Sequence, residues 1–163
     1  QHFWNVFIID ALIGNWDRHN GNWGFLYNTT TDEIAIAPVY DCGSCLYPQA
    51  DEAIMRDTID KQPERDLRTF SIPLSSIKVN GRKINYFDFI SSLENADCNK
   101  ALKRILPKIN MDAIFRIVDE TPFISDLQKQ FYKTMLRTRK ERILDFAMEK
   151  LRKREKAKEL DAR

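Results

Sequence analysis

Residues 1–22 read QHFWNVFIIDALIGNWDRHNGN. The side chains from Phe3 to Ile13 are apolar on nearly every side of a helix, which predicts a buried helix rather than an amphipathic one. Gly14-Asn15 predicts the end of this helix, because glycine readily takes the left-handed conformation that follows many helices. A polar loop, residues 15–22, comes next and leads directly into the first strand signal of the chain.

Beyond the loop, the pattern predicts one β-hairpin, then a mixture dominated by helices. Residues 23–27 and 34–37 predict two strands joined through residues 28–32, with Trp23 in the core of the hairpin. Asn80-Gly81 predicts a second hairpin, between strands at residues 70–79 and 82–86. Helices are predicted at residues 51–60, at 98–106 with Asp97 as cap, at 111–118 with Asn110 as cap, and from a Ser125/Gln128 capping box to about residue 158. The fold class is therefore α+β, mostly α, with short β-hairpins.

The last predicted helix carries apolar residues only over its first part. The residues expected to dock it are Leu127, Phe131, Met135, Ile143, Phe146, Ala147 and Leu151. Between Leu151 and Leu160 only Ala157 is apolar, so we expect a frayed, basic helix end at residues 152–163.

Composition excludes several classes of protein. The 163 residues are 43% hydrophobic and 31% charged, which excludes a disordered chain, and five Gly and six Pro exclude a fibrous one. The sequence has no apolar run near the ~20 residues that a membrane span needs. The net charge of +2 combines a body of −3 with a tail, residues 137–163, of +5. Acidic and basic residues alternate in that tail, so we interpret it as a solvated helix face and expect no direct nucleic-acid contact.

The cysteines are Cys42, Cys45 and Cys98. An odd, low count argues against a disulfide framework and fits a reducing cytoplasm, where we expect the protein to act. Cys42 and Cys45 form a C-x-x-C pair, but two cysteines cannot complete a tetrahedral zinc site, and His2 and His19 lack the spacing of metal ligands. A redox motif of this kind normally opens a helix after a strand, whereas Pro38-Val39-Tyr40-Asp41 precedes this pair. Zinc and redox roles are therefore disfavoured.

The residue types at 17–43 suit phosphoryl transfer. Asp17 and Asn22 have the spacing D-x-x-x-x-N, and the hairpin that follows returns to Asp41-Cys42-Gly43. In phosphoryl transfer one carboxylate orients the attacking hydroxyl, while an amide oxygen and a second carboxylate hold Mg²⁺ against the phosphates. An Asp and an Asn in a polar loop are also common turn formers. The helix before the loop and the hairpin after it favour the catalytic interpretation.

Residues 14–22, GNWDRHNGN, resemble the catalytic loop G-N-x-D-x-H-x-x-N of HipA-type kinases, and residues 37–41, APVYD, resemble the A-P-x-Y-D metal motif of that family. The loop is also similar to that of phosphatidylinositol 3-kinases and their protein-kinase relatives, which have H-x-D-F-G at the second site. The part of the chain that resembles these kinases and contains their motifs is residues 1 to about 47. The remainder is compatible with a helical kinase C-lobe.

The HipA-like resemblance implies a role for each matching residue. Asp17 occupies the position of the catalytic base, and Asn22 and Asp41 occupy the positions of the metal ligands. The implied cofactor is Mg²⁺ or Mn²⁺, with ATP as co-substrate. His19 matches a family position at which the role can be catalytic or structural. On this basis we expect transfer of the ATP γ-phosphoryl group to a Ser or Thr hydroxyl of a protein substrate, and a DNA-binding antitoxin-type protein as a partner.

The resemblance also implies a domain organisation. Residues 1–163 correspond to a C-terminal lobe, with the catalytic and metal loops at 14–45 and a helical remainder at 51–151. No G-x-G-x-x-G or G-K-[ST] motif occurs, and the chain starts at Gln1 rather than Met, so we expect a piece of a longer protein whose N-lobe is absent here.

Two alternatives remain open. Gly43 makes the metal loop more similar to D-F-G, which favours a phosphoinositide kinase-like lipid kinase. A membrane-binding helix would need an apolar face, however, and residues 149–159 lack one. The other alternative is a non-catalytic, kinase-like toxin–antitoxin or interaction module. All three expected catalytic side chains are present, which argues against this alternative.

Overall fold

Helix α1, His2–Ile13, lies at the centre of the computed structural model, which describes residues 1–161. It packs against three later helical elements, and its buried side chains are Val6, Phe7, Ile8, Asp10, Ala11 and Leu12. The helix ends at Gly14, whose φ of 65° is left-handed and whose N–H bonds back to the carbonyl of Asp10. The predicted buried helix and its glycine stop are confirmed.

The remaining elements follow in chain order. They are a 3₁₀ turn at Asn20–Asn22, β1 at Phe25–Asn28, β2 at Glu33–Ile36, α2 at Glu52–Asp60, α3 at Gln62–Asp66, a π-helical turn at Leu67–Ser71, β3 at Lys78–Val79, β4 at Arg82–Lys83, α4 at Tyr86–Ser92, α5 at Ala96–Ile105, a second 3₁₀ turn at Leu106–Lys108, α6 at Met111–Glu120, α7 at Asp126–Arg139, a π-helical segment at Lys140–Asp145, and α8 at Phe146–Asp161. The predicted fold class, α+β and mostly α with short hairpins, is confirmed.

Each of the two sheets is a two-stranded antiparallel hairpin. In the first, Phe25 pairs with Ile36 and Asn28 with Glu33, as the sequence predicts. The second is much shorter than predicted: residues 70 and 71 belong to the π-helical turn at Leu67–Ser71, and β3 and β4 contain two residues each. Its turn is as predicted: Asn80 and Gly81 both have positive φ, which is the conformation that Asn-Gly favours in hairpins.

Side-chain caps begin most of the helices. The Ser125/Gln128 capping box and the Asn110 cap are confirmed. The predicted cap of α5 is wrong: Asn95, not Asp97, accepts a hydrogen bond of 2.8 Å from the N–H of Cys98. Asp97 lies in the first turn of the helix and forms an ion pair with Lys100.

The buried core surrounds α1. Its main cluster joins residues of α1, α4 and α5 to the chain from α7 to α8, and its largest members are Phe7, Ile8, Tyr86, Ile90, Leu102, Ile143 and Leu144. A smaller cluster of Met55, Phe131 and Met135 attaches α2 to α7. The C-terminal helices are therefore part of the core that supports α1.

The C-terminal helical run differs from the sequence prediction in two respects. Phe146, expected to dock, is 46% exposed, because the π-helical turn before it holds more residues than an α-helical turn and rotates the positions that follow. The second respect concerns the end that was expected to fray from residue 152: the chain is helical there as far as Asp161. Arg154 donates a hydrogen bond of 2.7 Å to the carbonyl of Leu93, and Glu155 forms an ion pair with Lys103. Residues 162 and 163 of the predicted frayed end lie outside the described residues.

Over residues 1–161, every helix falls short of the length or the apolar character that crossing a lipid bilayer would demand.

We expect Phe131→Ala to lower the free energy of unfolding by roughly 3–5 kcal/mol, the range for truncation of a fully buried aromatic ring. The Phe131 ring is 0% exposed and packs against Met55 and Met135. Phe123→Ala is the matched control, since that ring is fully exposed and its loss should leave the unfolding curve unchanged. Urea unfolding followed by circular dichroism measures both, and equal midpoints for the two variants would contradict the described packing of α7.

Candidate active site

A buried ion pair joins α1 to the loop that follows it. Asp10 and Arg18 are 1% and 3% exposed. Arg18 contacts both oxygens of the Asp10 carboxylate, with Nε 3.1 Å from Oδ2 and Nη2 3.1 Å from Oδ1. Asn15 donates a further hydrogen bond of 2.9 Å to Oδ1 of Asp10. The first turn of the loop is thereby attached to the end of α1.

The same guanidinium reaches the chain segment that returns from the first hairpin. Nη1 of Arg18 lies 2.6 Å from the carbonyl oxygen of Tyr40 and 3.5 Å from that of Asp41, and Nη2 lies 3.6 Å from Sγ of Cys42. Burial acts to lower the pKa of Arg18, but the hydrogen bond and the charge of Asp10 outweigh this effect and raise it. Arg18 therefore stays charged and holds residues 17–22 against residues 40–42.

Asn22 and Asp41 meet at the centre of this arrangement. The buried Asn22 side chain donates a hydrogen bond from Nδ2 to Oδ2 of Asp41, while its Oδ1 accepts one of 3.0 Å from the N–H of His19. The two residues that the sequence proposed as metal ligands thus share one site. Both supply hard oxygen donors of the kind that Mg²⁺ and Mn²⁺ prefer.

A metal ion bound between these two residues would require the Asn22 amide to turn its Oδ1 towards Asp41. The N–H of His19 would then lose its bond to Oδ1 of Asn22 but keep its second acceptor, the carbonyl oxygen of Asp17 at 2.9 Å. The side chain of His19 is used within the loop, where Nδ1 accepts a hydrogen bond of 3.0 Å from the N–H of Gly21. In this structure His19 stabilises the turn.

Asp17 is positioned by the main chain around it. Its N–H donates to Oδ1 of Asn15 at 3.1 Å, and its carboxylate is left partly exposed at the surface of the loop. The neighbouring carbonyl oxygens of Asn15 and Trp16 accept hydrogen bonds of 2.6 Å each, from the hydroxyls of Tyr86 and Ser76. The backbone that leads into Asp17 is therefore anchored, while its side chain stays partly exposed.

Asp41 has an unusual backbone conformation. Its φ of 56° is left-handed, which few residues other than glycine adopt, and its side chain is exposed. The bonds from Arg18 to the carbonyls of Tyr40 and Asp41 hold this conformation, as does the Tyr40 hydroxyl, which lies 3.0 Å from the carbonyl of Gly21. Such strain is commonly found at functional sites.

Sequence reasoning gave no role to five residues that build the site: Asp10, Arg18, Tyr40, Ser76 and Tyr86. Arg18 and Tyr40 lie within the two quoted motif stretches, and the other three lie outside them. One signal was available: Asp10 is the only formally charged residue between His2 and Ile13, and a charge within a buried apolar helix requires a partner. No comparable signal marks Ser76 or Tyr86, which lie 60 and 71 residues from their acceptors.

The first hairpin does not pack into the core. Every residue of β1 and β2 is exposed, including Phe25 at 75% and Ile34 at 70%. Trp23 precedes β1, is half-buried and stacks on Phe3 with ring centroids 5.5 Å apart. The prediction that Trp23 lies in the core of the hairpin is therefore wrong, because the hairpin has no buried face.

Within residues 1–161, no three His, Cys, Asp or Glu side chains are grouped closely enough to hold a metal ion. A cation at Asp41 would therefore depend on the Asn22 amide and on oxygens from a bound substrate or water. A cleft of about 330 Å³ opens on the other side of the loop, beside Trp16, between residues 47–50 and 72–73.

Comparison with known proteins finds a curated relative and a matching solved structure. The chain is 49% identical over 146 residues to the serine/threonine-protein kinase CtkA of Helicobacter pylori strain J99, an alignment that covers 89% of this chain and 45% of that protein. It also matches the crystal structure of a Helicobacter pylori proinflammatory kinase CtkA with a TM-score of 0.86 and 48% identity, over 90% of this chain and 54% of that one. The chain thus spans about half the length of these relatives. No family model matches it.

We expect Asp10→Asn to lower the free energy of unfolding by roughly 3–5 kcal/mol, because it leaves the buried Arg18 charge without its partner. The control is Glu149→Gln, which removes a carboxylate from the exposed Glu149–Lys153 pair and should not change the unfolding midpoint. Thermal unfolding at neutral pH measures both. An Asp10→Asn protein as stable as wild type would show that this ion pair does not hold the loop.

Proposed function

We propose that this chain forms the C-terminal lobe of a HipA-like serine/threonine protein kinase, which transfers the γ-phosphoryl group of ATP to a Ser or Thr hydroxyl of a protein. The observation that carries the proposal is the contact of Asn22 with Asp41, in a site that also contains Asp17. The 49% identity to a serine/threonine-protein kinase supports the same reaction class.

Asp17 is the proposed catalytic base. Its accessible carboxylate would accept the proton of the substrate hydroxyl as the hydroxyl oxygen bonds to the γ-phosphorus and the bond to the β,γ-bridging oxygen breaks, releasing ADP. Because the backbone that precedes Asp17 is anchored, the carboxylate needs little reorganisation to reach the hydroxyl.

Asn22 and Asp41 are the proposed ligands of Mg²⁺ or Mn²⁺. A divalent cation bound there supplies charge neutralisation for the phosphate oxygens. Mg²⁺ is usually held by one or two carboxylates together with substrate phosphates, which fits a site that has two protein ligands. Asp10 and Arg18 are positioning residues, since they hold the two loops that carry these ligands.

The exposed hairpin would form part of the surface that faces the nucleotide and the other lobe. A kinase binds its nucleotide between two lobes, and this chain spans about half of the length of its relatives. The apolar side chains of β1 and β2 would then meet the other lobe or the nucleotide, which would cover exposed side chains such as Phe25 and Ile34. The protein substrate would approach Asp17 from the side of the cleft beside Trp16.

The HipA-like assignment also includes a DNA-binding antitoxin-type partner and a cytoplasmic location. The three cysteines are free, which is compatible with reducing conditions. The sequence motif A-P-V-Y-D at residues 37–41 supports the HipA-like subtype. Copurification of the full-length protein from its own host tests the antitoxin-type partner.

A lipid kinase and a non-catalytic module are the competing functions. The first would phosphorylate phosphoinositide vesicles and not protein, and the second would phosphorylate neither. The serine/threonine-protein kinase name of the relative favours a protein acceptor. Incubation of the full-length protein with labelled ATP and each acceptor separates the three functions.

We expect Asp17→Asn in the full-length protein to abolish protein phosphorylation while leaving the melting temperature unchanged. The substitution removes the proton acceptor, and the partly exposed side chain contributes little packing. Asp60→Asn, an exposed carboxylate at the end of α2, is the matched control and should retain full activity. Wild-type activity in a folded Asp17→Asn protein would remove Asp17 from the mechanism.

We expect Mn²⁺ to bind tightly only when a non-hydrolysable ATP analogue is present, because the protein offers two ligands and the phosphates complete the shell. Electron paramagnetic resonance of Mn²⁺ measures this binding. Asp41→Ala and Asn22→Ala should each abolish the nucleotide-dependent signal, whereas Asp60→Asn should not. Equal Mn²⁺ binding in Asp41→Ala and wild type would exclude this metal site.

We expect residues 1–163 alone to show no measurable kinase activity, since the proposed nucleotide site needs contacts from a second lobe. A radiometric assay with a generic protein substrate and a folded sample, verified by circular dichroism, measures this. Robust phosphorylation by this chain would overturn the proposed two-lobed organisation.

A further inference from the structure

Cys42 and Cys45 are the two ends of a tight turn that begins one residue after Asp41. The N–H of Cys45 donates a hydrogen bond of 3.1 Å to the carbonyl oxygen of Cys42, which closes a four-residue turn. Such turns bring their end Cα atoms within about 7 Å, and disulfides span Cα distances of about 4.4–6.8 Å. The turn thus places the two cysteines at a Cα separation that a disulfide can span.

The two thiols differ in accessibility and environment. Cys42 is exposed and Cys45 is half-buried, and both are free, whereas Cys98 is only 2% exposed. Burial raises the pKa of the Cys45 thiol to about 12, and the neighbouring Cys42 adds to this effect, so Cys45 remains protonated. A soluble oxidant therefore meets Cys42 first and finds Cys45 beside it.

The pair lacks the strand-then-helix context of a catalytic redox motif, but a site that is only modified does not need it. We propose that Cys42 and Cys45 are a redox modification site, which a hydroperoxide converts to a reversible disulfide. The Cys42 sulfur attacks the hydroperoxide, an S–O bond forms, the O–O bond breaks and an alcohol, or water from hydrogen peroxide, leaves. The Cys45 sulfur then displaces the oxygen from Cys42, and the S–S bond forms as the Cys45 proton leaves with that oxygen as water. Two thiols lose two electrons, which the hydroperoxide accepts. Disulfides inside a reducing compartment are usually transient and sensory, which suits this site.

The disulfide acts on the segment that carries Asp41. It draws Sγ of Cys42 towards Cys45 and away from Nη2 of Arg18, its present neighbour at 3.6 Å. Arg18 also binds the carbonyls of Tyr40 and Asp41, so the change reaches the backbone that holds Asp41 in its left-handed conformation. This consequence rests on the proposed function. The disulfide lowers the rate of phosphoryl transfer by roughly 10- to 100-fold, because a displacement of a catalytic group by ~1 Å can cause a loss of that order.

The chemical test counts thiols. The full-length protein is treated with hydrogen peroxide, unfolded, alkylated with N-ethylmaleimide and digested, and the peptides are weighed by mass spectrometry. Wild type should lose alkylation at Cys42 and Cys45 and keep it at Cys98, and dithiothreitol should restore both. Cys98→Ala should behave identically at residues 42 and 45, while Cys45→Ser should stop at a Cys42 sulfenic acid that dimedone captures. Alkylation of both thiols after peroxide, or their loss only in disulfide-linked dimers, would overturn the proposal.

The activity test uses the same samples. Peroxide should lower the phosphorylation activity of wild type, dithiothreitol should restore it, and Cys42→Ser should retain its activity in peroxide. Equal loss of activity in wild type and Cys42→Ser would overturn the regulatory role. A disulfide that forms in a protein without kinase activity in either state would support the modification site and refute the proposed function, so the two failures are distinguishable.

Discussion

The candidate site depends on the buried contact between Asp10 and Arg18. A charge inside an apolar helix is unfavourable unless it is paired and hydrogen-bonded, and the bidentate contact with Arg18 supplies both. The guanidinium has donors left over, and these reach the carbonyls of Tyr40 and Asp41. One side chain therefore sets the distance between the loop after α1 and the segment after the hairpin. The position of Asn22 against Asp41 follows from that distance.

A second buried arginine supports the same region from the opposite side. Arg139 is 1% exposed, and its Nε lies 2.7 Å from the carbonyl of Ala11 in the last turn of α1. Its Nη1 reaches the carbonyl of Arg68 at 2.9 Å and the hydroxyl of Tyr47 at 3.1 Å. Cationic groups are favourable at the C-terminal ends of helices, where carbonyl groups lack partners within the helix. The end of α1 is thus held between two guanidinium groups, one joined to a carboxylate and the other joined to carbonyl oxygens.

Local signals predicted the parts of the fold that local physics determines. The apolar helix with its glycine stop, the first hairpin and the Ser125 capping box depend on neighbours within a few residues, and all three are present. The spacing of the motifs predicted that Asn22 and Asp41 lie at the same site, and their side chains are in contact in the structure. Features that depend on distant partners were missed. A strand was predicted from residue 70, but residues 70 and 71 end a π-helical turn, Leu67–Ser71. The carbonyl of Arg68 in that turn is bonded by Arg139, 71 residues away. Asp17 and His19 occupy the same loop, and a catalytic role for either rests on the resemblance.

The long sequence separations at the site have a consequence for the order in which the chain becomes structured. The carbonyl of Asn15 accepts its hydrogen bond from the hydroxyl of Tyr86, 71 residues later in the chain. The carbonyl of Ala11, at the end of α1, accepts one from Arg139, 128 residues later. Contacts between distant parts of a chain form late, since loop closure must precede them. The loop with Asp17 is synthesised before helix α7, so the end of α1 gains its contact with Arg139 only once α7 has docked. An incomplete nascent chain therefore carries every motif residue of the site before it carries the site itself.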